Sequence, residues 1–182
     1  DRANKGNYEV IHVHYDCFYD ILAELEAKVV CISSHYPYID QLERHAYDNY
    51  GPIFKYIVTQ SETFPVFAIS RKDRDTFINW GANPNAVFLM PNGANQKRYR
   101  FTESPSFPDR SVTLAQITPR KRQGLTVHVD SLYYIGRGPF AHKNYLGEIS
   151  DQQKFDTLTD FANMVLVSDG ENGTPLCIKE AM

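Results

Sequence analysis

Seven short apolar runs, separated by more polar stretches of helical character, constrain the fold more than any other feature of this sequence. They are YEVIHVHYD, KVVCISS, FPVFAIS, NAVFLMPNG, SVTLAQI, VDSLYYIG and NMVLVSD. Their length and β-branched content predict strands. A strand with one wet face alternates apolar and polar residues. Runs such as VVCI and VFAI are instead apolar on both faces, as in a parallel sheet covered by helices. ILAELEA, IDQLERHAYDNY, RKDRDTFINWG and KFDTLTDFA read as those helices, with Gly51-Pro52 punctuating the second and Gly81 marking the end of the third. The expected fold class is α/β.

Between two strand-helix sets lies NGANQKRYRFTESPSFPDRS, polar and interrupted by Pro105 and Pro108, where a domain boundary is expected. This predicts two units, residues 1–98 and 99–182, neither of them a complete set. The chain also begins at Asp1 without a methionine and stops at Met182, so a piece of a longer protein is expected.

The bulk composition narrows the function classes. Of 182 residues, 42% are hydrophobic and 23% charged, which suits a globular core, and the net charge of -3 gives no reason to expect a nucleic-acid partner. Cys17, Cys31 and Cys177 lie far apart without CxxC pairing, which favours reduced thiols and a cytoplasmic location. No apolar run approaches the ~20 residues of a membrane span, and no signal-peptide pattern opens the chain.

Four stretches carry residues capable of chemistry. In HVHYD, His12, His14 and Asp16 alternate, so on a strand they share a face. Two imidazoles and a carboxylate can ligate a metal, or they can line the cleft beyond a parallel strand. His35 follows KVVCISS and is placed to exchange one hydrogen bond with a substrate, or to play a structural part. TPRKRQ puts Arg120, Lys121 and Arg122 directly after a strand, a turn that suits a phosphate or diphosphate as well as it suits solvent. In DGENGTPLCIKEAM, Thr174-Pro175 reads as an N-cap and first helical residue, with Glu171 before the helix and Glu180 within it. Such carboxylates can accept hydrogen bonds from sugar or ribose hydroxyls, act as a glycosidase acid/base pair, or simply decorate a surface helix.

The order HVHYD, VVCISSH, VFAIS, FLMPNGANQKRYRF, LAQITPRKRQ and LVSDGENGTPLCIKEAM resembles the retaining glycosyltransferases of the GT-B fold, family 4 type, from about Val10 to Met182. ITPRKRQ is similar to that family's basic turn, and the final segment to its E-x7-E motif, although eight residues, Asn172 through Lys179, separate the two glutamates here. The resemblance implies two Rossmann-like domains with parallel sheets, both incomplete in this chain, the first on the acceptor side and the second binding a nucleotide-sugar donor. It implies that Arg120 and Lys121 stabilise the diphosphate and that His35 contacts the reacting sugar. Glu171 would lie near the sugar hydroxyls, Glu180 would bind ribose, and Thr174 would belong to the donor site. His14 and Asp16 would belong to the acceptor-side cleft. No metal or other cofactor is implied; the partners are the donor and a glycan or other hydroxyl acceptor, with peripheral membrane contact open to a full-length protein. The implied activity is hexosyl transfer with retention, in glycan or cell-surface polysaccharide biosynthesis. A non-catalytic nucleotide- or glycan-binding protein of the same fold is the alternative, and a metal-dependent hydrolase using His12, His14 and Asp16 is a third.

Overall fold

The computed structural model describes residues 4–36, 50–95, 97–99, 101–169, 171 and 175–182. The chain divides into two compact units, Asp1–Asn92 and Gly93–Met182.

The first unit holds β1 (Val10–Val13), β2 (Val29–Ser34), β3 (Val66–Ala68) and β4 (Val87–Leu89), a parallel sheet in the order β1-β2-β3-β4. In β2 every residue after Val29 is buried, which is why its sequence shows no alternation. Helices α1 (Tyr50–Gln60) and α2 (Arg71–Asn79) supply Tyr50, Phe54, Ile57 and Phe77 to a core that includes Leu22, Ile32, Val66 and Val87. Ser70 caps α2, accepting from the Asp73 N–H at 3.1 Å.

Several elements differ from expectation. The strand of YEVIHVHYD ends at Val13, and the chain then coils into a 3-10 helix over Asp16–Glu24 rather than a helix at ILAELEA. Of the expected helix IDQLERHAYDNY, all but Tyr50 lies outside the described residues. Gly51 and Pro52 do not break a helix but lie in the first turn of α1, where a proline forgoes only an N–H that has no partner within the helix.

The second unit holds β5 (Phe107–Leu114), β6 (Leu132–Ile135), β7 (Tyr145–Gly147) and β8 (Phe161–Met164), parallel and in the order β7-β6-β5-β8. The chain steps outward from β5 through β6 to β7. Helix α3 (Asp151–Asp160), opened by a Ser150–Gln153 capping box, then returns it to the opposite side of β5. The short helix α4 (Leu176–Ala181) follows β8. Val112, Ile135 and Phe161 centre the core, with Leu114, Tyr133, Ile149 and Leu158 packed against them. The strand expected at NMVLVSD lies earlier, because Phe161 is drawn into this core as the first residue of β8. After the Val165 N–H donates to the Val112 carbonyl at 2.9 Å, the chain leaves the sheet. Strand β7 occupies a stretch expected to be loop.

Candidate functional site

Strand order locates the crevice. On one side of β5 lies β6, reached next in the chain; on the other lies β8, reached only after β7 and α3. Connections leaving two such neighbours diverge, and in open α/β sheets ligands bind in the gap beyond their carboxyl ends. The segments that follow β5 and β8 are the ones that carry the basic turn and the two glutamates.

The basic turn is a single 3-10 turn, Pro119–Lys121, closed by Arg122 in the left-handed region at φ 52°. It is tied to the post-β8 segment by backbone and side chains alike. The Asp169 N–H donates to the Arg120 carbonyl at 2.8 Å, and Arg122 Nη2 donates to Asp169 Oδ2 at 2.6 Å. Glu171 Oε1 pairs with Lys121 Nζ and lies 3.5 Å from Arg120 Nη1. The Lys121 side chain is 14% exposed and that of Glu171 21%, so this pair is far less screened by water than a surface pair.

Glu180 has a different cation. Lys154 Nζ, from α3, donates to Glu180 Oε1 at 3.0 Å and lies 5.8 Å from the centre of the Tyr99 ring, whose hydroxyl pKa is raised by burial first and then by Glu180. Burial draws the Lys154 pKa down, but its hydrogen bonds to Glu180 and Tyr99 outweigh that and raise it. Glu180 lines a cleft of about 530 Å³ together with Tyr99, Phe101, Phe155, Phe161 and Lys179. Cys177 lies between the two carboxylates in sequence. Burial raises its thiol pKa first, the Lys121 charge opposes, and the Glu171 and Glu180 charges add to the rise.

In the first unit, the rings of His12 and His14 stack at 4.1 Å between centroids, and His12 Nε2 is 2.8 Å from Ser33 Oγ. His35 follows β2 directly and is half-buried. Burial lowers its pKa; the Asp16 charge opposes this and His14 adds to it. His12 is lowered by burial, then by His14 and His35, so the three imidazoles form one electrostatic group.

Asp16 requires correction. Because the strand ends at Val13, Asp16 does not continue a face with His12 and His14, nor does it line a cleft. It is fully buried, and its Oδ2 accepts from Ser34 Oγ at 2.7 Å and from the Tyr50 hydroxyl at 2.5 Å. A buried carboxylate needs such donors, and they come from the end of β2 and the start of α1. The expected helix start also moves: Pro175 is the cap and Leu176 the first residue of α4, while Thr174 lies outside the described residues. Among the described residues, no group of three or more His, Cys, Asp or Glu is placed to hold a metal, and no helix is long and apolar enough to cross a membrane.

The site therefore brings Arg120, Lys121 and Glu171 into contact, while Glu180 pairs separately with Lys154. Lys154, Tyr99 and Asp169 do not stand out in the sequence. Lys154 is 26 residues from Glu180 and Asp169 47 from Arg122, so no local spacing signals either pair.

No family model and no curated protein sequence matches this chain. Solved structures match its fold. TarM aligns with a TM-score of 0.69 and 14% identity, over 94% of this chain and 38% of TarM. A variant of S. aureus TarM in complex with fondaparinux, alpha-GlcNAc-glycerol and UDP aligns at 0.67 and 15% identity, over 91% of this chain and 38% of that one. HepE from Anabaena in complex with UDP and glucose aligns at 0.68 and 14% identity, over 95% of this chain and 56% of HepE. The chain thus spans about two fifths of TarM and just over half of HepE. The likeness runs through both units, and the fold class is α/β of the GT-B type, with two Rossmann-like parallel sheets in succession.

Proposed function

We propose that this chain is part of a retaining glycosyltransferase that moves a hexosyl group from a nucleotide-sugar donor to an acceptor hydroxyl, in glycan or cell-surface polysaccharide biosynthesis. The observation that carries the reading is the convergence of Arg120, Lys121 and Glu171 at the switch point between β5 and β8. It is supported by the fold shared with HepE, which has also been solved in complex with UDP-glucose.

In this reading residues 99–182 bind the donor and residues 1–98 face the acceptor. Lys121 and Arg120 neutralise charge as it develops on the departing diphosphate, an electrostatic contribution that grows toward the transition state. Glu171 accepts from donor-sugar hydroxyls and Glu180 from the ribose, each carboxylate offering several acceptor sites. His35, held toward its neutral form by burial, offers the reacting sugar one hydrogen bond without adding charge. Departure of the diphosphate and attack by the acceptor hydroxyl on one face of the sugar retain its configuration.

Calorimetric titration of UDP and UDP-glucose into the chain tests the donor site. Lys121→Ala is expected to weaken UDP binding by roughly 10- to 100-fold, the worth of a charge-assisted hydrogen bond. Glu180→Ala is expected to weaken it less. Binding unchanged in both variants would remove the site assignment. Binding without transfer to any acceptor would favour a non-catalytic nucleotide-sugar protein, the reading that the eight-residue spacing between Glu171 and Glu180 supports.

A further inference from the structure

We propose that Glu171 is the resident counter-ion of the diphosphate site and determines its selectivity, occupying Lys121 and Arg120 until an anion of higher charge displaces it. The inference rests on the reading of these cations as the diphosphate site, and it assigns Glu171 a part in the unliganded state that contact with a donor sugar does not require.

The geometry supports exchange by a side chain alone. Glu171 Oε1 is shared between Lys121 Nζ and Arg120 Nη1, so one carboxylate oxygen stands where a phosphate oxygen would have to stand. The backbones bearing these groups are already joined by the Asp169–Arg120 hydrogen bond at 2.8 Å, and Arg122 is engaged by Asp169 at 2.6 Å. Removing the Glu171 carboxylate from its partners therefore leaves both loops tied. Every anion must compete with this carboxylate. A singly linked phosphate brings little more charge than the group it replaces. A diphosphate brings more charge and more acceptor oxygens, so it gains more than it displaces. Once displaced, Glu171 has unsatisfied acceptor capacity beside the bound diphosphate, where hydroxyl donors of an attached sugar can meet it. Occupancy by the diphosphate and availability of Glu171 are then two sides of one exchange.

The test compares inorganic pyrophosphate, orthophosphate and UDP binding to the wild-type chain, Glu171→Gln and Glu171→Asp by calorimetry at one ionic strength, with circular dichroism confirming that each variant is folded. Glu171→Gln is expected to bind pyrophosphate roughly tenfold tighter than wild type, with orthophosphate gaining proportionally more. Glu171→Asp, which keeps the charge, is expected to stay within about threefold of wild type. If Glu171→Gln binds pyrophosphate no tighter than wild type while wild type binds UDP, the inference falls and the donor-site reading stands. If the gain appears but UDP binds no better than pyrophosphate, Glu171 is the counter-ion of an anion site and the nucleotide-sugar reading falls. If neither wild type nor Glu171→Gln binds pyrophosphate or UDP, both are overturned.

Discussion

His12 rests against the ring of His14, and its pKa is pushed below 6.5 by burial first and then by His14 and His35. His35 is lowered by burial as well, despite the opposing charge of Asp16. An imidazole whose pKa is lower folded than unfolded binds fewer protons in the folded state. The stability it contributes is fully present above the unfolded value near 6.5 and is lost as pH falls through the depressed folded values. Melting temperature is therefore expected to fall between about pH 7 and pH 5, and His12→Gln to flatten that slope. An unchanged slope in the variant would show that these imidazoles are not desolvated in the folded chain. The same residues show how much of the site was legible from sequence. Arg120, Lys121 and Glu171 stood out because strand ends collect functional side chains, and the structure joins them. Asp16 was misplaced because alternation predicts a shared face only while the strand lasts, and nothing in HVHYD marks Val13 as its end. Its donors, Ser34 and Tyr50, lie 18 and 34 residues away.

At the scale of elements, a central strand such as β2 was legible because its residues are covered on both faces, and a strand with one wet face would have broken the apolar run with polar residues. Helix α1 was not, because its first turn contains Gly51-Pro52, a pair that reads equally as a stop. Strand β7 has only three residues, too few for a periodicity to emerge. One glycine in the second sheet has a sharper role than punctuation. Gly136, directly after β6, has φ +154°, and a Cβ there would lie 1.8 Å from the Ala115 carbonyl oxygen. That carbonyl belongs to the chain leaving β5 toward the basic turn, and the Ala115 N–H donates to the Ile135 carbonyl at 3.0 Å. Gly136→Ala must push the two segments apart or shift their register. A loss of about 3 kcal/mol in urea unfolding is expected from backbone strain and the clash together. A loss under about 0.5 kcal/mol would mean that the β5–β6 exit is less tightly apposed than the structure shows.

For the molecule as a whole, the two sheets differ in a way that bears on where ligands bind. The four strands of the first unit run in simple succession, so the described strands contain no switch point, whereas the second unit reverses at β5. Each unit has its own buried core, centred on Phe54 and Phe77 in the first and on Val112 and Ile135 in the second. The chain's single tryptophan, Trp80, belongs to the first unit and packs edge-on against Phe54 at 5.7 Å. Tryptophan fluorescence therefore reports unfolding of the first unit, while far-ultraviolet circular dichroism reports both. A ligand confined to the second unit stabilises that unit by roughly 2.7 kcal/mol at a hundredfold excess over its Kd, which is about 10–20 °C for a domain of this size. With saturating UDP, the dichroism transition of the second unit is expected to rise by this amount while the Trp80 transition stays within about 2 °C of its unliganded value. If the Trp80 transition rises in step, UDP is held by both units or the two cores unfold as one. If only the Trp80 transition rises, the nucleotide belongs to the first unit, and the assignment of Lys121 and Glu180 to the donor falls with it.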